Sequence, residues 1–464
     1  MLQLANIYSY KKSTLAYILI SCILYLWFAY GLERTEGLKL ILLYVALFFL
    51  GFQILKTSGF YFRVLVLAAI LFRLSFLFAI PNLSQDFYRF IWDGQMLLEG
   101  LNPYLYRPND IMNGSGIDIP MAQELYNGMG SLSASHFSNY PPLNQLCFAL
   151  GNLFPGKSIL SSVIGMRLII IAADIGTLYV GKKLLEDLKL PSNRIFWYVL
   201  NPFIIIELTG NLHFEGVMIF FLVWSLYLLN KGQWKWAAVI FACSVTIKLI
   251  PLMFLPLFFW WFHSNRSYTG INKNSMLLGM TTLILFYTIV CSYTLLCFLP
   301  FFSMEFITNY AQTVGLWFND FEFNASIYYL LRSIGFAITG YNEIAIIGKI
   351  LPVITLLCVL GLSFFTKNNS LTKLIPSMLL AMTCYLFLST TVHPWYIASL
   401  VILSVFTNYK YPLVWSLVVV LSYFSYLGIG SEDKIENLWV VAFEYLIVFA
   451  VFTWEVFLKK RLPF

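Results

Sequence analysis

Leu38-Lys39-Leu40-Ile41-Leu42-Leu43-Tyr44-Val45-Ala46-Leu47-Phe48-Phe49-Leu50-Gly51-Phe52-Gln53-Ile54-Leu55 carries one charge, near its start. A helix crosses the hydrocarbon core of a bilayer with roughly 20 mostly apolar residues, and this stretch is of that kind. Apolar blocks like it recur at 14–30, 61–80, 162–184, 195–209, 213–230, 236–248, 251–262, 276–300, 344–366, 375–392, 395–407, 411–428 and 437–458. Several are short, so the pattern predicts about twelve to fourteen transmembrane helices. The chain has 464 residues, 60% hydrophobic and 11% charged, where a soluble domain carries about 25% charged residues. Water is therefore not its main solvent, and the expected class is an all-α polytopic membrane protein, one integral membrane domain over 1–464. Closed β-barrels show short alternating segments instead.

The net charge of +7 is explained by loop position and implies no nucleic-acid partner. With the N-terminus cytoplasmic, counting spans places Lys11, Lys12, Lys182, Lys183, Lys189, Arg194, Lys231, Lys235, Arg266, Lys273, Lys367, Lys373, Lys410, Lys460 and Arg461 inside. Asp86, Asp93, Glu99, Asp110, Asp118, Glu124, Asp320, Glu322, Glu432 and Asp433 fall outside. This basic-inside bias predicts a multi-pass protein with both termini cytoplasmic. The seven cysteines show no metal-type spacing and read as small core residues.

Two outer segments interrupt the spans, 81–161 and 301–343. Long loops in compact proteins are usually functional or disordered, and the aromatic content of both argues for order. In the first, Asp86-Phe87-Tyr88-Arg89-Phe90-Ile91-Trp92-Asp93-Gly94 has the apolar spacing of an amphipathic helix lying on the membrane. Gly100 and Pro103 suit its end. Asp86, Arg89 and Asp93 share one helical face. Spacing alone leaves two readings: a carboxylate poised to take a proton from an acceptor hydroxyl, or a surface ion pair. Lys248, deep in an apolar block just before Pro251, is costly unless paired or hydrated. It is a candidate phosphate-binding cation, or a structural partner of Glu207, Glu215 or Asp174. Arg73 and Arg167, near span ends, suit snorkelling or pairing. His213 and Glu215 open a later span, and two such residues are too few for a metal site. His393, beside Pro394 and Trp395, is another span-end polar group. Trp92, Tyr104, Tyr140, Trp317 and Trp395 suit sugar stacking, although Trp and Tyr gather at membrane interfaces regardless.

Asp86-x-Tyr88-Arg89-Phe90-x-Trp92-Asp93-Gly94, followed by Gly100-x-Asn102-Pro103-Tyr104, resembles bacterial membrane mannosyltransferases of the GT-C superfamily, which use polyprenyl-phosphate sugars. Tyr140-Pro141-Pro142, Gly210-Asn211-Leu212-His213-Phe214-Glu215, Lys248-Leu249-Ile250-Pro251, Phe323-Asn324 and His393-Pro394-Trp395-Tyr396 extend the likeness over about 80–400. The chain departs from many such enzymes in placing three spans, not one, before the acidic loop. The resemblance implies a GT-C-like bundle with its active site between the first long outer loop and the membrane. It implies Asp86 as base, with Asp93 second; Arg89, Lys248, His213, Glu215 and His393 on the donor phosphate or sugar; and Trp92, Asn102, Tyr104, Tyr140 and Trp395 against acceptor or sugar. It implies a polyprenyl-phosphate sugar donor, a lipid or glycan acceptor, and a site on the non-cytoplasmic side of the bacterial plasma membrane. No cofactor or divalent metal is expected. A transporter or flippase of lipid-linked sugars, and a ligase or polymerase moving preassembled glycans, are the alternatives.

Overall fold

A computed structural model describes residues 2–58, 61–114, 116–264, 276–319, 321–426 and 436–459. Arg266, Lys273, Asp320, Glu432, Asp433, Lys460 and Arg461, used above in the charge count, lie outside them, as do the side chains of Lys11 and Trp317.

The chain opens with α1 (Leu2–Gly31), α2 (Gly37–Thr57) and α3 (Phe62–Leu74), and the first long loop carries α4 (Asp86–Leu98), α5 (Pro108–Met112), α6 (Ala122–Ala134) and α7 (Pro142–Asn152). There follow α8 (Ile159–Asp187), α9 (Pro202–Gly210), α10 (Glu215–Asn230), α11 (Trp234–Ile247) and α12 (Ile250–His263). Next come α13 (Met276–Phe298), then α14 (Met304–Asn319) and α15 (Ile327–Thr339) of the second long loop. The last elements are α16 (Ile344–Phe365), α17 (Leu371–Leu388), α18 (Pro394–Val405), α19 (Tyr411–Tyr426) and α20 (Leu438–Leu458).

Among the described residues, seven helices are long and apolar enough to cross a membrane, and α9 with α10, bent by 116°, forms an eighth candidate. The other apolar blocks fold as shorter pieces, including α11, α12, α18 and α19. Pro256 explains one of them: it withholds a backbone donor from the interior of α12, whose first nine residues wind as a tighter 3-10 helix. The cysteines are unbonded, but only Cys147 and Cys243 are buried and Cys291 is exposed, so they are not all core residues.

Loop contacts sort by span parity. At one end Lys231 pairs with Asp187 at 2.9 Å, Arg194 donates to the Thr407 carbonyl at 3.1 Å, and Glu455 accepts from the Lys410 and Tyr411 amides. At the other, Asn82 donates to the Phe28 carbonyl at 2.7 Å, the Leu83 amide to Asn211 at 3.3 Å, and the Tyr310 hydroxyl to the Asn139 carbonyl at 3.1 Å.

The helix expected from Asp86 is present, but it does not lie exposed on a surface. Nine of its 13 residues are buried, including Arg89 and Asp93, because α6 and α7 pack closely against it and α8 touches it as well. A β-carbon on Gly94 would lie 2.3 Å from Asn152 and 2.7 Å from the Phe148 backbone, so only glycine allows this approach of α4 to α7. At the far end Gly100 takes φ +74°. The Leu101 amide then reaches the Met96 carbonyl at 2.8 Å and the Gly100 amide that of Leu97 at 3.1 Å, which closes the helix.

Candidate active site

Asp86 and Asp93 share a helix and differ in everything else. Asp93 has no exposed surface. Arg89 Nε donates to it at 2.7 Å, Ser138 Oγ at 2.6 Å and Gln145 Nε2 at 3.1 Å. Arg89 also donates to the carbonyls of Ser133 and His136 at 2.6 and 3.0 Å. The pair therefore clamps the α6–α7 connection onto α4. It is an ion pair, as one reading had it, but an enclosed one. Asp93 as second base, and Arg89 as a donor ligand, give way to this clamp: both Asp93 oxygens accept bonds inside the protein, Arg89 Nε and Nη1 are committed, and Arg89 Nη2 is buried. Asp86 sits in the first helical turn, where the helix dipole favours a carboxylate. It is half-buried, and its charge acts on Tyr140 and Tyr396.

Beneath this layer two spans break. The second part of α9, Ile205–Gly210, winds as a π-helix, and Leu212 takes φ +64°, a costly conformation for leucine. Arg167 holds the break open. Its guanidinium donates to the carbonyls of Thr209, Gly210, Leu77 and Ala79 at 2.7 to 3.1 Å, serving helix-end acceptors that have no partner within their own helices. Arg73 pairs with Asp174 at 2.7 Å. The break sets His213 and Glu215 at the start of α10. Lys248, just past the end of α11, reaches Glu215 at 3.1 Å with 19% of its side chain exposed, and lies 5.0 Å from the centre of the Tyr140 ring. Of the three acids suggested for Lys248, Glu215 is therefore the partner. Tyr140 stands between Asp86 and Lys248.

His213, Trp395 and His393 form a stack. The His213 ring lies 3.6 Å from that of Trp395, and His393 lies 4.5 Å away at 5°. Trp395 stacks with two imidazoles and stays partly exposed. The second long loop secures the His393 side. The Phe323 amide donates to the Thr390 carbonyl at 3.1 Å and the Val392 amide to the Phe323 carbonyl at 2.8 Å. Asn324, at φ +44°, is held by Glu436 through its amide at 2.7 Å, by Glu444 through its side chain at 3.3 Å, and by the Tyr445 hydroxyl at 2.7 Å.

The structure thus gathers Asp86, Tyr140, Lys248 and Glu215, with His213, Trp395 and His393 linked to them through α10. It does not place Trp92 or Tyr104 on this surface. Both are fully buried, and the Tyr104 hydroxyl donates to the Tyr140 carbonyl at 2.6 Å. Asn102 is likewise engaged, accepting from the Tyr104 amide at 3.0 Å and donating to the Phe301 carbonyl at 3.3 Å. Sugar contact by these three gives way to packing and loop closure. Sequence reasoning missed Ser138, Gln145 and the carbonyl-collecting role of Arg167, and it quoted Asn211 and Tyr396 within motifs without giving either a role. The buried charge of Arg167 was a usable signal; the others are ordinary polar residues without spacing to mark them.

A helical membrane protein that sets an acidic loop helix over broken spans, with a lysine and two histidines below it, fits the class of integral membrane glycosyltransferases. Residues 30–264 match the family described as "Alpha-(1->6)-mannopyranosyltransferase, N-terminal domain", and the chain belongs to that family. It is similar to Alpha-(1->6)-mannopyranosyltransferase A of Mycobacterium tuberculosis, 22% identical over 196 residues, which cover 42% of this chain and 36% of that protein. It is also similar to the protein of the same name from Corynebacterium glutamicum, 23% identical over 189 residues, 40% of this chain and 36% of the relative. The match spans little more than a third of the length of these curated relatives.

Proposed function

We propose that this protein transfers a mannosyl group from a polyprenyl-phosphate donor to a hydroxyl of a lipid or glycan acceptor, at the non-cytoplasmic face of the bacterial plasma membrane. The side follows from the basic-inside bias, which turns the α4 end outward. Asp86 takes the proton of the acceptor hydroxyl. That oxygen attacks the anomeric carbon, and the bond from this carbon to the phosphate oxygen breaks, the electron pair leaving with the lipid phosphate. The displacement inverts the centre, so a β-linked donor gives an α-linked product, in keeping with the relatives' printed names. Charge grows on the departing phosphate, so a cation there lowers the barrier beyond any gain in binding. Lys248 supplies it, with His213 and His393 beside it. The leaving group is already good, and the reaction needs no divalent metal.

The observation that carries this reading is the asymmetry of the two aspartates. Asp93 is enclosed, with both carboxylate oxygens accepting hydrogen bonds, whereas Asp86 is half-buried and acts on Tyr396 as well as on Tyr140.

The test is transfer of tritium-labelled mannose from its polyprenyl phosphate to membrane lipids and glycans by the purified chain. Asp86→Asn should bind donor and lose about 10²- to 10⁴-fold in turnover, the span for a general base. Lys248→Ala should lower turnover more than donor affinity. An Asp86→Asn protein with near wild-type turnover removes Asp86 as base. If another lipid-phosphate sugar is consumed instead, only mannose falls; if none is, transport of lipid-linked sugars replaces transfer.

A further inference from the structure

We propose that Glu207 is a positioning residue for this transfer, acting through His213 and through the segment that leads into Asp86; the inference rests on the function just proposed. Glu207 lies in the π-helical turn of α9, a rare geometry found mostly at functional sites. It is 1% exposed, and an enclosed carboxylate in a membrane span is costly unless its position serves a purpose. Among the described residues it forms no ion pair with a lysine or arginine. Its partners are the Tyr423 hydroxyl, at 2.8 and 2.9 Å from the two carboxylate oxygens, and Asn211 Nδ2 at 3.3 Å.

Held this way, the carboxylate faces His213, with 3.9 Å between Glu207 Oε2 and His213 Nε2. That is beyond a direct hydrogen bond but close enough for the carboxyl group to act on the ring. His213 Nε2 is buried and has no hydrogen-bond partner among the described residues. An acid opposite Nε2 favours the proton on that nitrogen. It also keeps the ring plane that stacks on Trp395 at 3.6 Å. Lys248 and His393 stand near the same ring, and the Glu207 carboxyl group faces it from the π-helical turn. The second connection is steric. Asn211 donates to Glu207 through Nδ2, and its Oδ1 accepts from the Leu83 amide at 3.3 Å. Leu83 stands three residues before Asp86. One carboxylate thereby fixes both the imidazole and the start of the helix that carries the base.

The experiment uses the purified full chain in the labelled-mannose assay, with kcat and KM measured for wild type, Glu207→Gln, His213→Gln, the double variant and Tyr423→Phe. Wild type must turn over; if it does not, the proposed function fails and this inference with it. Given turnover, Glu207→Gln should lower kcat about tenfold or more while KM for donor stays within about threefold. The double variant should be no slower than His213→Gln, because coupled residues are non-additive. Tyr423→Phe, which removes one hydrogen bond and keeps the charge, should lower kcat about threefold or more without lowering the unfolding temperature. If Glu207→Gln does not fold, Tyr423→Phe combined with His213→Gln provides the same cycle. Glu207→Gln with wild-type kcat, multiplicative losses in the double variant, or, where the cycle runs through Tyr423, wild-type kcat in Tyr423→Phe each overturns the proposal.

Discussion

Replacing Arg89 by alanine leaves Asp93 buried without its cation. Ser138 and Gln145 still donate to the carboxylate, but the 2.7 Å ion pair is gone, and the carbonyls of Ser133 and His136 lose their donor. Removing one partner of a buried pair costs about 3–5 kcal/mol. At about 1.4 kcal/mol per factor of ten, the connection between α6 and α7 should open roughly a hundredfold to a few thousandfold more often. Amide exchange followed by mass spectrometry over residues 133–145 reads this local opening directly. The double substitution Arg89→Met with Asp93→Leu removes both charges and leaves Gln145 and Ser138 bonded to each other at 2.6 Å. It should recover at least about tenfold of the lost protection, since neutral replacement of a buried pair is often tolerated. Exchange in Arg89→Ala within about threefold of wild type, or a double variant that opens as fast as the single one, would refute the clamp.

The same connection should loosen in mild acid. Burial, reinforced by the Arg89 charge, holds His136 down at about 4, against the pull of its hydrogen bond to the Leu132 carbonyl. The unfolded segment takes up its proton near 6.5, so protection is complete above that pH and is lost as pH falls from about 6.5 towards 4; His136→Gln should flatten the dependence of exchange on pH. Gly94→Ala should lower the unfolding temperature, with a loss of about 1–3 kcal/mol for the overpacked contact, and Asn152→Ala should not restore it, because the Phe148 backbone is also in the way. Turnover should survive prolonged treatment with EDTA, and a loss restored by added magnesium or manganese would place a metal in the reaction.

The all-α membrane class and the helix from Asp86 were legible because composition and periodicity are local properties of the chain; the number of spans was not, since several apolar blocks fold as pieces too short to cross alone. The two aspartates were not separable in that way. A helical wheel puts both on one face, and what distinguishes them is Ser138 and Gln145, which lie 45 and 52 residues beyond Asp93. Lys248 showed itself as an expensive charge, but only the fold selects Glu215 over Glu207 and Asp174. Arg167 was misread as a residue in search of water or an acid, when its partners are main-chain carbonyls that carry no signature in sequence. Trp92 and Tyr104 illustrate the opposite error: aromatic residues in a loop suggested sugar contact, whereas this loop is thick enough to have an interior of its own.

The pairing of Phe323 with Thr390 and Val392 is made by peptide groups, so its hydrogen bonds name no side chain. Phe323 and Val392 are nonetheless buried, and the Phe323 ring lies 5.2 Å from that of His393. Packing therefore holds both positions to apolar side chains, and proline is shunned at each, since it has no amide to give. The join would be inherited as a pair of apolar positions that accept neither charge nor proline, with no longer motif to announce it.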